Sequence, residues 1–256
     1  MDNEKSLIEK LSDPWWRITS GALYKIMIKG DDGEEGLVMP FMPNESQIQL
    51  LRDMHTRNII LKARQLGFTT LIAIYFLDCA LFRSNVRAGM VAQSEDVAKT
   101  IFRDKIQFAY LNLPESLRAQ MPLARDSQSE LLFAHNNSSI RVATSMRSGT
   151  LQYLHVSEFG KIGAKFPERA KEVVTGSIPA VPSNGVVFIE STAEGQEGEF
   201  YNMSKRAEKL AMSNSKLGKK DFKFFFYPWW KNNTYRLPEG EALITDTDHE
   251  YFDKVE

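Results

Sequence analysis

The chain has a single cysteine, Cys79, and almost no excess of either charge, with 32 Lys and Arg against 33 Asp and Glu in 256 residues. One cysteine excludes a disulfide framework and fits a reducing compartment. Cys79 lies in an apolar stretch and reads as core. Balanced charge excludes a chain that is basic throughout, so any contact with a polyanion must come from a local patch. Long apolar runs are also missing: Leu71 to Leu77 is stopped by Asp78, too short to span a bilayer. The charged N-terminus carries no signal-peptide pattern. Internal repeats and low-complexity segments are absent. What remains is an ordinary globular composition, 43% hydrophobic and 25% charged, with room for a sizeable core.

The standard phosphate-loop pattern G-x-x-x-x-G-K-[ST] is absent too. In its place stands Lys62-Ala63-Arg64-Gln65-Leu66-Gly67-Phe68-Thr69-Thr70, between the apolar runs Ile59–Leu61 and Leu71–Leu77. Lys62 takes the place of the first glycine and Phe68 that of the usual lysine. The order is still strand, tight polar loop, helix. Backbone N–H groups at a helix start are unsatisfied and sit at the positive end of the helix dipole, so they attract phosphate. Gly67 lets the backbone approach closely. Lys62 at the mouth of the loop, and Arg64 with its forked guanidinium, supply cations. Thr69 is placed to hold a magnesium ion. The alternative is an ordinary strand–turn–helix.

Around this stretch the pattern alternates. Residues 1–20 read as one helix anchored by Trp15 and Trp16. Residues 23–28 and 37–41 read as strands about the turn Asp31-Asp32-Gly33. Asn44 and Gln47 form a capping box for a helix burying Ile48, Leu51 and Met54. An amphipathic helix is expected over 69–82, a strand over 86–92, and a helix from the cap Ser94 to about Leu113. Pro114 and Pro122 mark loops. Residues 130–134 and 139–143 read as a hairpin. Strands follow at 151–156, 186–190 and 222–227, with helices at 166–174 and 199–212. Strands alternating with helices predict an α/β fold with a mainly parallel sheet covered by helices.

An acid on a second strand is needed to act at a γ-phosphate. Leu151-Gln152-Tyr153-Leu154-His155-Val156-Ser157-Glu158 is an apolar strand ending in Glu158, which suits a general base or water-orienting carboxylate. The aspartate usual before that glutamate is replaced by Ser157, whose hydroxyl can still hold a magnesium-bound water. Val187-Phe188-Ile189-Glu190 leads into Ser191, Thr192 and Ala193, a small polar cluster suited to sensing the γ-phosphate. The Gln47 amide can pair with an adenine edge as well as cap its helix.

Together these segments resemble the N-terminal packaging ATPase domain of the tailed-phage terminase large subunit. The resemblance rests on Lys62 to Thr70, on Leu154 to Phe159, and on Ser191-Thr192-Ala193-Glu194-Gly195 with Phe200-Tyr201 beyond. It covers roughly 40–230, and Ser157 is its one clear departure. It implies a phosphate-loop NTPase of the additional-strand, catalytic-glutamate type that hydrolyses ATP with Mg2+ and drives double-stranded DNA into a procapsid. It implies nucleotide binding by Gln47 and by Lys62, Ala63, Arg64, Gln65, Leu66, Gly67, Phe68, Thr69 and Thr70. Catalysis falls to Glu158 with Arg64 in cis and Arg147 as the arginine lent to a neighbouring subunit, metal binding to Thr69 and Ser157, and coupling to Ser191, Thr192 and Ala193. The implied partners are a portal protein, a small terminase subunit and further copies in a ring, the chain being monomeric in isolation. The implied setting is the host cytoplasm during virion assembly, with no membrane and no place in the mature virion.

The domain expectation is an N-terminal helix and hairpin over 1–40, an ATPase core over 41–215, and a strand and linker over 216–256. Terminases also carry a nuclease domain. Asp246, Asp248 and Asp253 in the tail read as a solvated linker rather than a metal site, so no nuclease activity is expected. The basic positions Lys161, Lys165, Arg169, Lys171, Lys205, Arg206, Lys209, Lys216, Lys219 and Lys220 are all available to DNA, and none stands out. Two other readings stay open. A helicase-like translocase would show a standard Gly-Lys-Thr loop and a second motor domain. A degenerate, non-hydrolysing scaffold would have no need of Glu158 and Arg64 together.

Overall fold

A computed structural model describes residues 2–28, 36–146, 149–213, 215–232, 235 and 245–255. The expected turn at Asp31-Asp32-Gly33 and the candidate Arg147 lie outside them.

In chain order the elements are α1 (Asp2–Ser12), α2 (Pro14–Thr19), β1 (Lys25–Ile28), β2 (Leu37–Pro40), α3 (Glu45–Asp53), β3 (Arg57–Lys62), α4 (Phe68–Phe82) and β4 (Arg87–Val91). Then come α5 (Glu95–Ile101), continued by a π-helical stretch (Phe102–Gln107) into α6 (Phe108–Leu111), and α7 (Glu115–Gln120), β5 (Leu123–Asp126), β6 (Glu130–Phe133) and β7 (Ser139–Ala143). The chain goes on through β8 (Tyr153–Ser157), α8 (Phe159–Lys165), α9 (Pro167–Glu172), β9 (Val186–Ser191), α10 (Gly198–Met212), β10 (Lys223–Tyr227) and α11 (Asp246–Val255).

β1 and β2 pair as an antiparallel hairpin. The other eight strands form one sheet in the order β10-β3-β9-β8-β4-β7-β6-β5. From β10 to β7 every pairing is parallel, and β6 and β5 extend the sheet by antiparallel pairing. The expected mainly parallel sheet covered by helices is therefore present. Successive side chains on a strand face opposite ways, so neighbours on β3 enter different cores. Ile60 joins the core that contains α4, while Ile59 joins the one beside α8 and α10. Both faces are thus dry, which is why these strands read as continuous apolar runs rather than alternating ones.

Several expectations are corrected. α4 is not amphipathic: from Phe68 to Leu81 all but Thr69 are buried, so the helix is core on every side. α3 buries Gln47 and Leu50, while Leu51 and Met54 pack at the edge of the core and Ile48 is half-buried. The first twenty residues form two helices. Asp13 caps α2, its carboxylate accepting the Trp15 N–H at 2.9 Å, and Pro14 fills the first turn, where a missing N–H costs nothing. Trp15 is exposed and Trp16 half-buried, so the anchors are Arg17 and Ile18 instead. The Arg17 guanidinium donates two 2.8 Å bonds to the Asp78 carboxylate on α4, and the Tyr24 hydroxyl donates a third at 2.8 Å. The region between Pro114 and Pro122 holds α7 rather than loop alone, and β5 follows it. The acidic tail positions Asp246, Asp248 and Asp253 lie exposed on α11.

Candidate active site

β3 ends at Lys62, and the loop after it rises into α4 through two backbone turns of positive φ, at Gln65 (56°) and Gly67 (73°). Gly67 occupies the N-cap position of α4 and supplies no side chain, so the first N–H groups of the helix are left for a ligand. The loop is held from both sides. The Gln47 amide donates to the Gly67 carbonyl at 2.8 Å, and the Asn44 amide donates to the Leu66 carbonyl at 3.3 Å. Gln47 and Asn44 are locked together in turn by the expected capping box. On the other flank the Ala63 N–H donates to the Tyr227 carbonyl at 2.9 Å, and the Tyr235 hydroxyl donates to the Arg64 carbonyl.

The candidate nucleotide residues separate by burial. Phe68 is in the core, its ring 4.6 Å from that of Tyr227, and Leu66 is buried. They offer a ligand only their backbone. Arg64, Gln65 and Gly67 are exposed on the loop, Thr69 is half-buried, and Lys62 and Thr70 are buried. Gln47 spends one N–H and one oxygen lone pair on the loop and cap, and is 4% exposed.

Lys62, Thr69, Ser157 and Glu158 come together at the carboxyl ends of β3, β8 and β9. The Lys62 ammonium lies 3.1 Å from Glu158 Oε1. Glu158 takes a left-handed backbone conformation, φ 53°, between β8 and α8, which turns it out of the strand. Its second oxygen lies 3.1 Å from the Lys161 ammonium and accepts the Thr192 hydroxyl at 3.4 Å. Ser191 accepts the Gly160 N–H at 3.0 Å, tying β9 to the first turn of α8. A side chain on Gly160 would come within 2.9 Å of the Ser191 hydroxyl, so this contact needs glycine. Ala193 lies beyond, lining a cavity with Phe200, Tyr201 and Phe224.

Sequence reasoning missed one residue at this centre. Glu190 is fully buried at the end of β9. Its Oε1 accepts the Thr69 hydroxyl at 2.6 Å and the Ser157 hydroxyl at 3.0 Å, and its Oε2 lies 3.1 Å from the Lys62 ammonium. Burial opposes its charge, but His155, Lys62 and Thr69 outweigh that and hold the carboxyl at about 2. Burial likewise opposes the charge on Lys62, and first Glu190 and then Glu158 outweigh it, raising the ammonium. The signal is present in the sequence: β9, like β8, is an apolar strand with an acid at its end.

Arg169, one of the basic positions, is committed to structure. Its guanidinium donates to the carbonyls of Gln93, Ala92 and Thr144 at 2.9–3.0 Å and lies over the Phe166 ring.

No family model and no curated protein sequence matches the chain. Solved structures do match its fold. The Thermus phage P74-26 large terminase ATPase domain superposes with a TM-score of 0.54 at 17% identity, over 75% of this chain and 83% of that one. An arginine-to-alanine mutant of the same phage domain superposes with a TM-score of 0.52 at 18% identity, over 73% and 81%. At such identities the likeness is one of fold: the chain has the architecture of a phage terminase ATPase domain.

Proposed function

We propose that the chain is an ATP-hydrolysing motor domain of the terminase type, which drives double-stranded DNA into a viral procapsid. The observation that supports this most is the convergence of Lys62, Thr69, Ser157 and Glu158 beside the open N-terminus of α4. Lys62, Arg64 and the N–H groups of the loop and helix start bind the phosphates. Gln47 reads the adenine edge while it holds the loop. Glu158 orients the attacking water, and the departing phosphate is inorganic, the products being ADP and phosphate.

Magnesium suits the donors present. The Thr69 and Ser157 hydroxyls are hard oxygen donors near a buried carboxylate, and Mg2+ takes its remaining ligands from phosphates and waters. Among the described residues no group of three or more His, Cys, Asp or Glu is arranged to hold a metal ion. When bound with ATP, the ion neutralises charge on the β- and γ-phosphates. Thr69 would hold it directly and Ser157 through a water.

Loss of the γ-phosphate is passed on through Ser191, Thr192 and Ala193. The Thr192 bond to Glu158 and the Ser191 bond to Gly160 link the water-orienting acid to the loop after β9. Arg147 of a neighbouring copy completes the site in a ring on the portal, to which a small terminase subunit brings the DNA. Assembly of this kind takes place in the host cytoplasm. The chain itself cuts no DNA, and cleavage with magnesium or manganese would overturn that part of the reading. Among the described residues no helix is long and apolar enough to cross a membrane.

The test is ATP turnover with nucleotide binding measured in parallel. Glu158→Gln is expected to lower turnover about 100-fold or more while keeping binding, and Lys62→Ala to weaken binding. A wild-type chain that binds no nucleotide would sink the proposal.

A further inference from the structure

We propose that Glu190 is the anionic metal-holding residue of this site, carrying from β9 the charge that Ser157 does not carry on β8. The inference rests on the ATPase reading above and adds a residue to it. Magnesium sites of this kind use one or two carboxylates together with substrate phosphates and waters. A pair of hydroxyls supplies oxygen donors but no charge, so Thr69 and Ser157 alone make a weak cradle for a divalent ion.

The sheet shows where the missing charge is. Ser157 and Glu190 are register partners on the parallel strands β8 and β9, so they leave the sheet side by side on one face. β9 lies between β8 and β3, one strand nearer the phosphate loop. From there Glu190 Oε1 reaches both hydroxyls, at 2.6 and 3.0 Å. Its Oε2 makes no hydrogen bond although it is fully buried. That oxygen lies 3.1 Å from the Lys62 ammonium. His155 Nε2 lies 3.4 Å from Oε1. A buried carboxylate is costly to keep unless its charge is compensated, and at Oε2 that falls to a single ammonium.

Glu158 differs in each respect. It is partly exposed, sits at the rim, and both its oxygens are engaged, by Lys62 on one side and by Lys161 and Thr192 on the other. The two acids share Lys62 but face different work. The buried one, among hydroxyls, suits a metal ion, and the one at the rim suits a water. Without nucleotide, the Lys62 ammonium lies 3.1 Å from one oxygen of each.

The experiment titrates a fluorescent ATP analogue into the chain with magnesium and with a chelator instead, and follows manganese binding by electron paramagnetic resonance. In the wild type, magnesium should tighten nucleotide binding by roughly tenfold or more. Glu190→Gln should bind metal-free nucleotide at least as tightly as the wild type does, lose most of that gain, and weaken manganese binding by about 10- to 100-fold. Glu158→Gln should keep the gain. The double variant Ser157→Asp with Glu190→Gln moves the carboxylate back to β8 and should recover it. A folded Glu190→Gln chain with the full magnesium gain, or a folded double variant that recovers none of it, overturns the assignment. Should Glu190→Gln not fold, Glu190→Asp decides, expected to bind manganese more weakly because its charge is withdrawn by one methylene. A wild-type chain that binds no nucleotide in either condition brings down the ATPase reading itself, whereas an unaltered Glu190→Gln brings down this inference alone.

Discussion

Gly67 combines two demands on one position. Its φ of 73° suits glycine, and a Cβ there would lie 2.7 Å from the Gln47 amide nitrogen. Gly67→Ala should destabilise the fold by about 1–2 kcal/mol for the left-handed backbone, with a further loss as Gln47 is pushed off its carbonyl. Urea unfolding together with nucleotide titration checks this. An unchanged midpoint would mean that the loop relaxes at no cost. At this scale the sequence singles out Lys62, Gly67, Thr69 and Glu158 as candidates, because each falls at a fixed offset from an apolar run. It hid pairings between distant segments. Asp78 looked like the residue that ends an apolar run, yet it is the buried partner of Arg17, 61 residues away. Glu190 was hidden differently. Its charge sits where an apolar strand ends, as do many exposed acids, and only the neighbouring hydroxyls show that it is enclosed.

The helix α4 shows what element-scale patterning can and cannot reveal. Its hydrophobic length was legible, but a helix buried on all sides carries no polar stripe to reveal its facing. Cys79 is enclosed there, where burial pushes its thiol up to about 11 from 9.0 in spite of the nearby Arg83. The folded chain thus holds this proton more tightly than the unfolded one. Stability should be fully present below about pH 9 and fall as pH rises from 9 towards 11, with Tyr75 and Tyr153 raised in the same direction. Urea unfolding at several pH values should show the decline, with a shallower slope for Cys79→Ala. An identical slope would show that the thiol is not the source. The helix break at Asp13-Pro14 was legible in principle, being a cap followed by a first-turn proline.

For the whole molecule, the fold class was readable because strands that are dry on both faces leave long apolar runs, and the helices between them impose parallel order. Strand order was not readable, since no local signal says that β9 lies between β3 and β8. If a neighbour's Arg147 completes the site, turnover per chain should rise with chain concentration, and Arg147→Ala should remove that rise while leaving nucleotide binding intact. A rate per chain that is flat over a wide concentration range would count against an arginine supplied in trans. The position of β10 has a mechanical consequence. This edge strand is bonded along its length to β3, and its last residue, Tyr227, both takes the Ala63 N–H and packs its ring against Phe68. Tension applied to the chain after Tyr227 would be borne in shear by the β10–β3 ladder and delivered at the two residues that bracket the phosphate loop. The loop is thereby a point where pulling force and phosphate chemistry act on the same few backbone bonds, so a load on that segment should be felt as a change in the grip on nucleotide.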